Sequence, residues 1–169
     1  MNPHMSQIIY ALIIIFFSLV THASVPAVDD IAMYKVTTQN DSFFGKEYRH
    51  ESWLKSVDAA GNTFVLINRI SRDDGFLYET SSKVDQDYLS RLYIPDTEVF
   101  CKSQKSKATL ETITVPAGTF LACKLDNRSI VRWVSSQVPF GLLKSLYFSS
   151  NGKIDEEKVL LKWMPRDQP

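Results

Sequence analysis

Net charge, histidine and cysteine are all scarce in this sequence, and each scarcity excludes something. Lys plus Arg equals Asp plus Glu at 19 each in 169 residues, so no positive excess exists to gather phosphates. Nucleic acid is therefore not an expected partner. Of the three histidines, His4 and His22 fall within the first two dozen residues, which leaves His50 for the rest of the chain. A Ser-His-Asp or Cys-His device would have to be built on His50, between Arg49 and Glu51, a position that reads as a sheet-surface or core-edge histidine. One histidine and two cysteines do not supply a zinc tetrad. Asp73-Asp74-Gly75 and Asp155-Glu156-Glu157 lack the alternating oxygen ligands of a calcium loop and read as turn and loop residues. The expectation is a non-enzymatic protein with no catalytic residue, no metal and no cofactor.

A hydrophobic run long enough to span a bilayer is also missing. The longest apolar stretch, Ile8 to Val20, has 13 residues and no charge, Gly or Pro, and Thr21-His22-Ala23-Ser24 follows it. As a helix it would reach about 20 Å against a hydrocarbon core of roughly 30 Å. Small residues at Thr21 and Ala23 meet the needs of a signal peptidase, so residues 1–23 are read as a signal peptide cleaved after Ala23. Residues 1–7 carry no Lys or Arg, which keeps an uncleaved anchor as the alternative. Residues 24–30 are a linker, 31–165 a single domain and 166–169 a tail. The expected location is periplasmic or secreted, with no stable membrane span after cleavage.

Cys101 and Cys123 both lie beyond the leader, in a compartment that permits disulfides. A bond between them would close a span of 22 positions and contribute about 3 kcal/mol in the chain-entropy model. Two separate buried thiols are the alternative.

What the chain has in quantity is two-residue alternation broken by turn signals, with little helical periodicity. Strands are expected at Ile31 to Thr38, Glu47 to Val57, Thr63 to Ile70, Phe76 to Ser82, Thr97 to Lys102, Thr109 to Val115, Thr119 to Leu125, Ser129 to Ser135, Leu143 to Ser149 and Glu157 to Met164. Thr63 to Ile70 is apolar on both sides and reads as a central strand. In the last segment Val159, Leu161 and Trp163 share one side, expected to be core, and Lys158 and Lys162 the wet one. Asp73-Asp74-Gly75 and Asn151-Gly152 are hairpin turns by composition. Val84, Tyr88, Leu89 and Leu92 recur at helical spacing, with Asp85 and Asp87 in the first turn, so one short helix is expected near residues 84–93, stopped by Pro95. The architecture implied is mainly β: a single antiparallel curved sheet or partly open barrel of about nine strands with that one helix.

Aromatic residues are plentiful at 12%, and the three Trp residues all fall in expected strands, where alternation accounts for them as core. Phe43 and Phe44 stand out in a polar loop. The segment from Trp133 to Lys144 is apolar, carries Pro139 and Gly141, and joins two strands. As an exposed tip it would be sticky, so Trp133, Val138, Pro139, Phe140, Gly141 and Leu142 are the candidate contacts for a ligand or partner. The partner expected is an apolar small molecule or an envelope protein.

The Val115-Pro116-Ala117-Gly118-Thr119-Phe120 turn, followed by Trp133-Val134-Ser135 and by Val138-Pro139-Phe140-Gly141-Leu142-Leu143-Lys144, resembles a family of bacterial exported β domains. The resemblance covers about thirty residues. It implies a periplasmic location and, more distantly, a curved sheet similar to that of lipoprotein-carrier proteins. It supplies no active site, and the chain has no lipid-attachment cysteine near Ala23. A ligand- or partner-binding domain is the expected role, with an accessory subunit of an envelope assembly such as a secretion system as the alternative.

Overall fold

The computed structural model describes residues 28–39, 43–56, 63–104 and 107–164. The proposed signal peptide and its cleavage site, the linker up to residue 27 and the tail lie outside them. Within them the chain forms one open antiparallel sheet of nine strands, not closed into a barrel. They are β1 (Ile31–Thr38), β2 (Glu47–Ser56), β3 (Thr63–Ser71), β4 (Leu77–Asp85), β5 (Ala108–Val115), β6 (Gly118–Asn127), β7 (Ile130–Val134), β8 (Leu142–Phe148) and β9 (Ile154–Met164). Two short helices, α1 (Gln86–Leu92) and α2 (Thr97–Ser103), join β4 to β5.

The strand order is β4-β3-β2-β1-β9-β8-β7-β6-β5. It consists of two meanders, β1 to β4 and β5 to β9, each built from hairpins between sequence neighbours. They are joined where the first and last strands pair, Ile31 against Met164 through Thr38 against Glu156. The two edges, β4 and β5, are thus consecutive in sequence but farthest apart in the sheet. A flat sheet of this width would separate them by about 38 Å, at about 4.8 Å per strand. Curling shortens that path. The β5–β6 turn reaches back so that the Ala117 amide donates to the Leu160 carbonyl at 3.4 Å. Register shifts at Met33/Tyr34, Trp133/Val134 and Tyr147/Phe148 mark β-bulges, which increase local twist and bend.

Cross-strand partners share a face, and the register places Tyr34, His50, Ser52, Leu54, Leu66, Asn68, Ser145, Lys158 and Leu160 on one side, here called the inner face. Two apolar clusters fill part of it. Ala32, Tyr34, Leu143 and Leu160 pack with Val115, Phe120, Ala122 and Val138. Leu54, Val84 and Leu89 pack with Phe64 and Leu66, so α1 caps this second cluster through Leu89.

Three sequence expectations need correction. Thr97 to Lys102 is helix α2 rather than a strand. The Asp96 carboxylate accepts from the Val99 amide at 2.8 Å and caps it, while Glu98 in the first turn and Lys102 in the last suit the helix dipole. Its buried residues, Thr97 and Cys101, stand four apart, and Val99 between them is 64% exposed. The expected helix is α1, which starts only at Gln86, because Val84 still pairs with Phe64 and Asp85 serves as the cap, accepting from Tyr88 N at 2.7 Å. β3 is not central: it lies next to the edge, and each of its residues is half-buried.

α2 brings Cys101 to Cys123 of β6 as a disulfide-capable pair, bonded in the structure, with Cα atoms 5.2 Å apart. Unfolded, unreduced protein is therefore expected to show no titratable thiol, whereas two per chain would exclude the bond. Leu54 is fully buried between β1, β3 and α1, and Leu54→Ala is expected to lower stability by about 2–5 kcal/mol. Denaturant unfolding of the variant beside the parent protein measures it.

Candidate functional site

The apolar segment singled out from sequence is not an exposed tip. Val138 is 3% exposed, Pro139 and Gly141 are buried, and Phe140 and Leu142 are half-buried. The loop closes on itself, with Ser135 N donating to Gly141 O at 2.8 Å and Gly141 N to Val138 O at 3.1 Å. Ser136 N donates to Thr97 Oγ1 at 2.9 Å and Leu121 N to Gln137 Oε1 at 3.3 Å, which pins the loop between α2 and β6. Phe140 packs against both apolar clusters. At Gly141, with φ +69°, an added Cβ would stand 3.2 Å from Ile94 Cδ1, so both backbone and space favour glycine there. The segment's apolar character serves the interior of the domain. Trp133 packs against the same cluster as Phe140 and Leu142, while its indole donates to Glu111 at 2.6 Å and lies beneath the ammonium groups of Lys124 and Lys144. Trp133, Val138, Phe140 and Leu142 thus meet in one cluster of the interior rather than on an exposed tip.

The other half of the inner face is polar. Lys158 Nζ donates to His50 Nδ1, which fixes the ring as neutral with its proton on Nε2, and Nε2 donates to Asn68 Oδ1 at 3.1 Å. Ser52 Oγ donates to the same Asn68 oxygen at 2.8 Å. Lys158 Nζ also stands 4.3 Å from the centroid of the buried Tyr34 ring, a cation–π contact. Ser145 lies opposite Lys158 across β8 and β9, and its buried hydroxyl has no hydrogen-bond partner.

Burial and the neighbouring Lys158 charge push the His50 pKa down to about 4, opposed by the hydrogen bond His50 donates to Asn68. Burial lowers Lys158 to about 8, partly offset by the negative charge of Glu156. Burial raises the Tyr34 hydroxyl, which stays neutral. Neutral imidazole beside a desolvated ammonium is a hydrogen-bonding surface rather than a nucleophile-base-orienter series.

At one end of this face five rings meet. Phe44 stands 5.6 Å from Tyr48, 5.5 Å from Tyr78 and 6.3 Å from Phe76, and Phe43 packs edge-on against Phe44 at 5.2 Å. Phe43 is 78% exposed and Tyr78 42%. The hairpin turn at Asp73-Asp74-Gly75 holds Phe76 here, helped by Arg72 over its ring at 4.7 Å. On the outer face a shallow cavity of about 170 Å³ is lined by Lys35, Glu47, Arg49 and Asp73. Its charges are matched, Lys35 with Glu47 at 2.9 Å and Arg49 with Asp73 at 3.0 Å.

Sequence reading noticed Phe43, Phe44 and His50 separately but missed Lys158, Asn68 and Ser145. His50 and Lys158 are 108 positions apart, and only the β1–β9 pairing brings them together.

An open, curved antiparallel sheet with helices across one face is the class of domain these features define. No protein-family model and no curated protein matches the sequence. Among solved structures the fold is similar to MucB in complex with MucA(peri), with TM-score 0.52 and 15% identity over 83% of this chain and 51% of that one. The chain thus spans about half the length of that MucB chain. It is also similar to a candidate lipoprotein from Parabacteroides distasonis, with TM-score 0.52 and 13% identity over 82% of this chain and 97% of that one. A candidate exported protein with YmcC-like fold from Bacteroides fragilis aligns over 82% and 97%, at 10% identity and TM-score 0.49. At these identities the likeness is one of fold. No described helix is long and apolar enough to cross a membrane.

The His50 shift predicts a pH dependence with a definite sign. Between about 6.5 and about 4 the unfolded chain binds a proton at His50 that the folded chain resists, so stability falls as pH falls through that window. His50→Gln removes this titration, and its denaturation midpoint between pH 7 and 5 is expected to fall less than that of the parent protein.

Proposed function

We propose that this protein is an exported, non-enzymatic binding domain whose partner is another envelope protein, held against the open half of the inner face. The observation that carries the reading is the aromatic cluster of exposed Phe43 and Tyr78 on half-buried Phe44 and Phe76, beside a polar floor of His50, Asn68 and Lys158. Solvent-exposed rings next to convergent polar groups suit protein recognition, where aromatic anchors supply most of the binding energy. The apolar half of the same face is filled by Leu89, Val138 and Phe140 of the chain itself, and this favours a protein partner over an apolar small molecule. The fold likeness adds support, since MucB is seen there in complex with MucA(peri).

A role as an accessory subunit of an envelope assembly is a second reading, favoured by edge strand β4. All its residues except Val84 are exposed, and Leu77 is 62% exposed. Such an edge can accept a further strand.

A Phe43→Ser, Tyr78→Ser double variant is expected to fold, because both side chains are exposed, and to lose a protein that the parent captures from its own envelope fraction. Equal capture by the variant would remove the aromatic cluster from the interface. Added lipid mass in native mass spectrometry, with no protein captured, would instead restore the small-molecule expectation.

A further inference from the structure

Among the described residues, β4 is the open edge of the sheet. The other edge, β5, is packed by α2 and by β9, and Val115 at its end is buried. β4 runs nine residues, eight of them exposed, with no proline and no break in its register against β3. α1 touches it only at the Val84 end. Edges are normally shortened, bulged or covered, because their free backbone groups invite a further strand.

Which groups are free follows from the hairpin turn. Arg72 N donates to Phe76 O at 3.1 Å, so Arg72 and Phe76 are a hydrogen-bonded pair. Such pairs recur at every second position of an antiparallel ladder, which turns the amides and carbonyls of Tyr78, Thr80, Ser82 and Val84 towards β3. Those of Leu77, Glu79, Ser81, Lys83 and Asp85 point away from the sheet. Ser81 is the midpoint of the strand. A two-fold axis through it overlaps the whole strand with that of a second copy and sets Glu79 opposite the partner's Lys83, twice. Moving the axis one residue either way shortens the overlap and loses both charge pairs.

We propose that β4 is a self-complementary docking edge, and that two copies of this chain join it antiparallel about Ser81 into one continuous sheet. Glu51, Arg69 and Glu79 already alternate in sign across β2, β3 and β4, and the partner's Lys83 continues the row. Arg69 sends two nitrogens to the same Glu79 oxygen, at 2.9 and 3.1 Å, and lies 3.8 Å from Glu51. Two carboxylates thus share one cation, and the second Glu79 oxygen is left for another. Between the charge pairs Thr80, Ser81 and Ser82 are short enough to let the strands close to about 4.8 Å. On the opposite side Tyr78, 42% exposed, meets the partner's Val84. This pairing leaves the inner face open to its own partner and gives the strand edge a single occupant.

Sedimentation of the purified full chain over a wide range of concentration tests this, and a reversible monomer–dimer equilibrium is expected. Ser81→Pro removes an outward amide without touching the bonds to β3, so it is expected to keep the parent's circular dichroism spectrum and to sediment as a monomer. Glu79→Lys and Lys83→Glu, both on exposed side chains, are each expected to weaken dimerisation about tenfold, since either change opposes two pairs of like charges. Mixed in equal amounts, the two charge variants restore both pairs and are expected to associate as tightly as the parent, with the heterodimer resolved by native mass spectrometry. Should Ser81→Pro fold poorly, the charge variants decide the matter alone. A parent that stays monomeric, or a dimer that survives Ser81→Pro and both charge variants, would overturn the proposal. A mixture no tighter than its components would overturn the register about Ser81. An envelope protein captured by a monomeric parent and lost in Ser81→Pro would assign the edge to that protein and overturn self-pairing. Each of these results leaves the inner-face reading standing.

Discussion

Pairing of the first strand with the last is the constraint from which the rest of the molecule follows. Without the β1–β9 ladder there are two separate meanders, each with an uncovered apolar side. With it, β4 and β5 become opposite edges of one sheet, and the chain between them has to cross a face. α1 and α2 lie on that crossing, which is why Leu89 seals one apolar cluster and Cys101 meets Cys123 beyond it. The same ladder carries Lys158 to His50 and Tyr34. Core, disulfide and polar site are three results of one strand pairing.

The loop from Ser135 to Gly141 is the second organising element. Nine strands curling around a short two-helix crossing leave interior space that backbone alone cannot occupy, and Phe140 fills it from between the two clusters. That division leaves half of the inner face closed and apolar and half open and polar. The polar half gains a fixed boundary from this pinned loop.

The strands were legible because alternation is a local property, and all nine begin and end within about three residues of where turn signals place them. α2 was not, since Thr97, Val99 and Cys101 alternate over a window too short to separate a strand from two helical turns, and only the Asp96 cap decides between them. The last strand shows a subtler failure. A bulge at Leu161 resets the alternation, so Leu160, not Val159 or Leu161, is fully buried, and Lys158 lies on the core side that simple alternation called wet. The apolar loop was recognised by composition, but composition does not say whether such a segment faces water or plugs a core. No local signal announces that choice. It depends on Ile94, Leu54 and Leu160 arriving from elsewhere in the chain.

Sheet order also sets the sequence of events by which the domain assembles. The middle strand of the finished structure, β9, is the last eleven-residue strand to be made, and β1, its neighbour, is the first. Nearly the whole polypeptide has to be held as a loop before the central ladder closes, which makes folding slow relative to a design built from local contacts. A chain of this order cannot close its sheet until its end has arrived, so every shorter piece of it lacks the strand that joins the two halves.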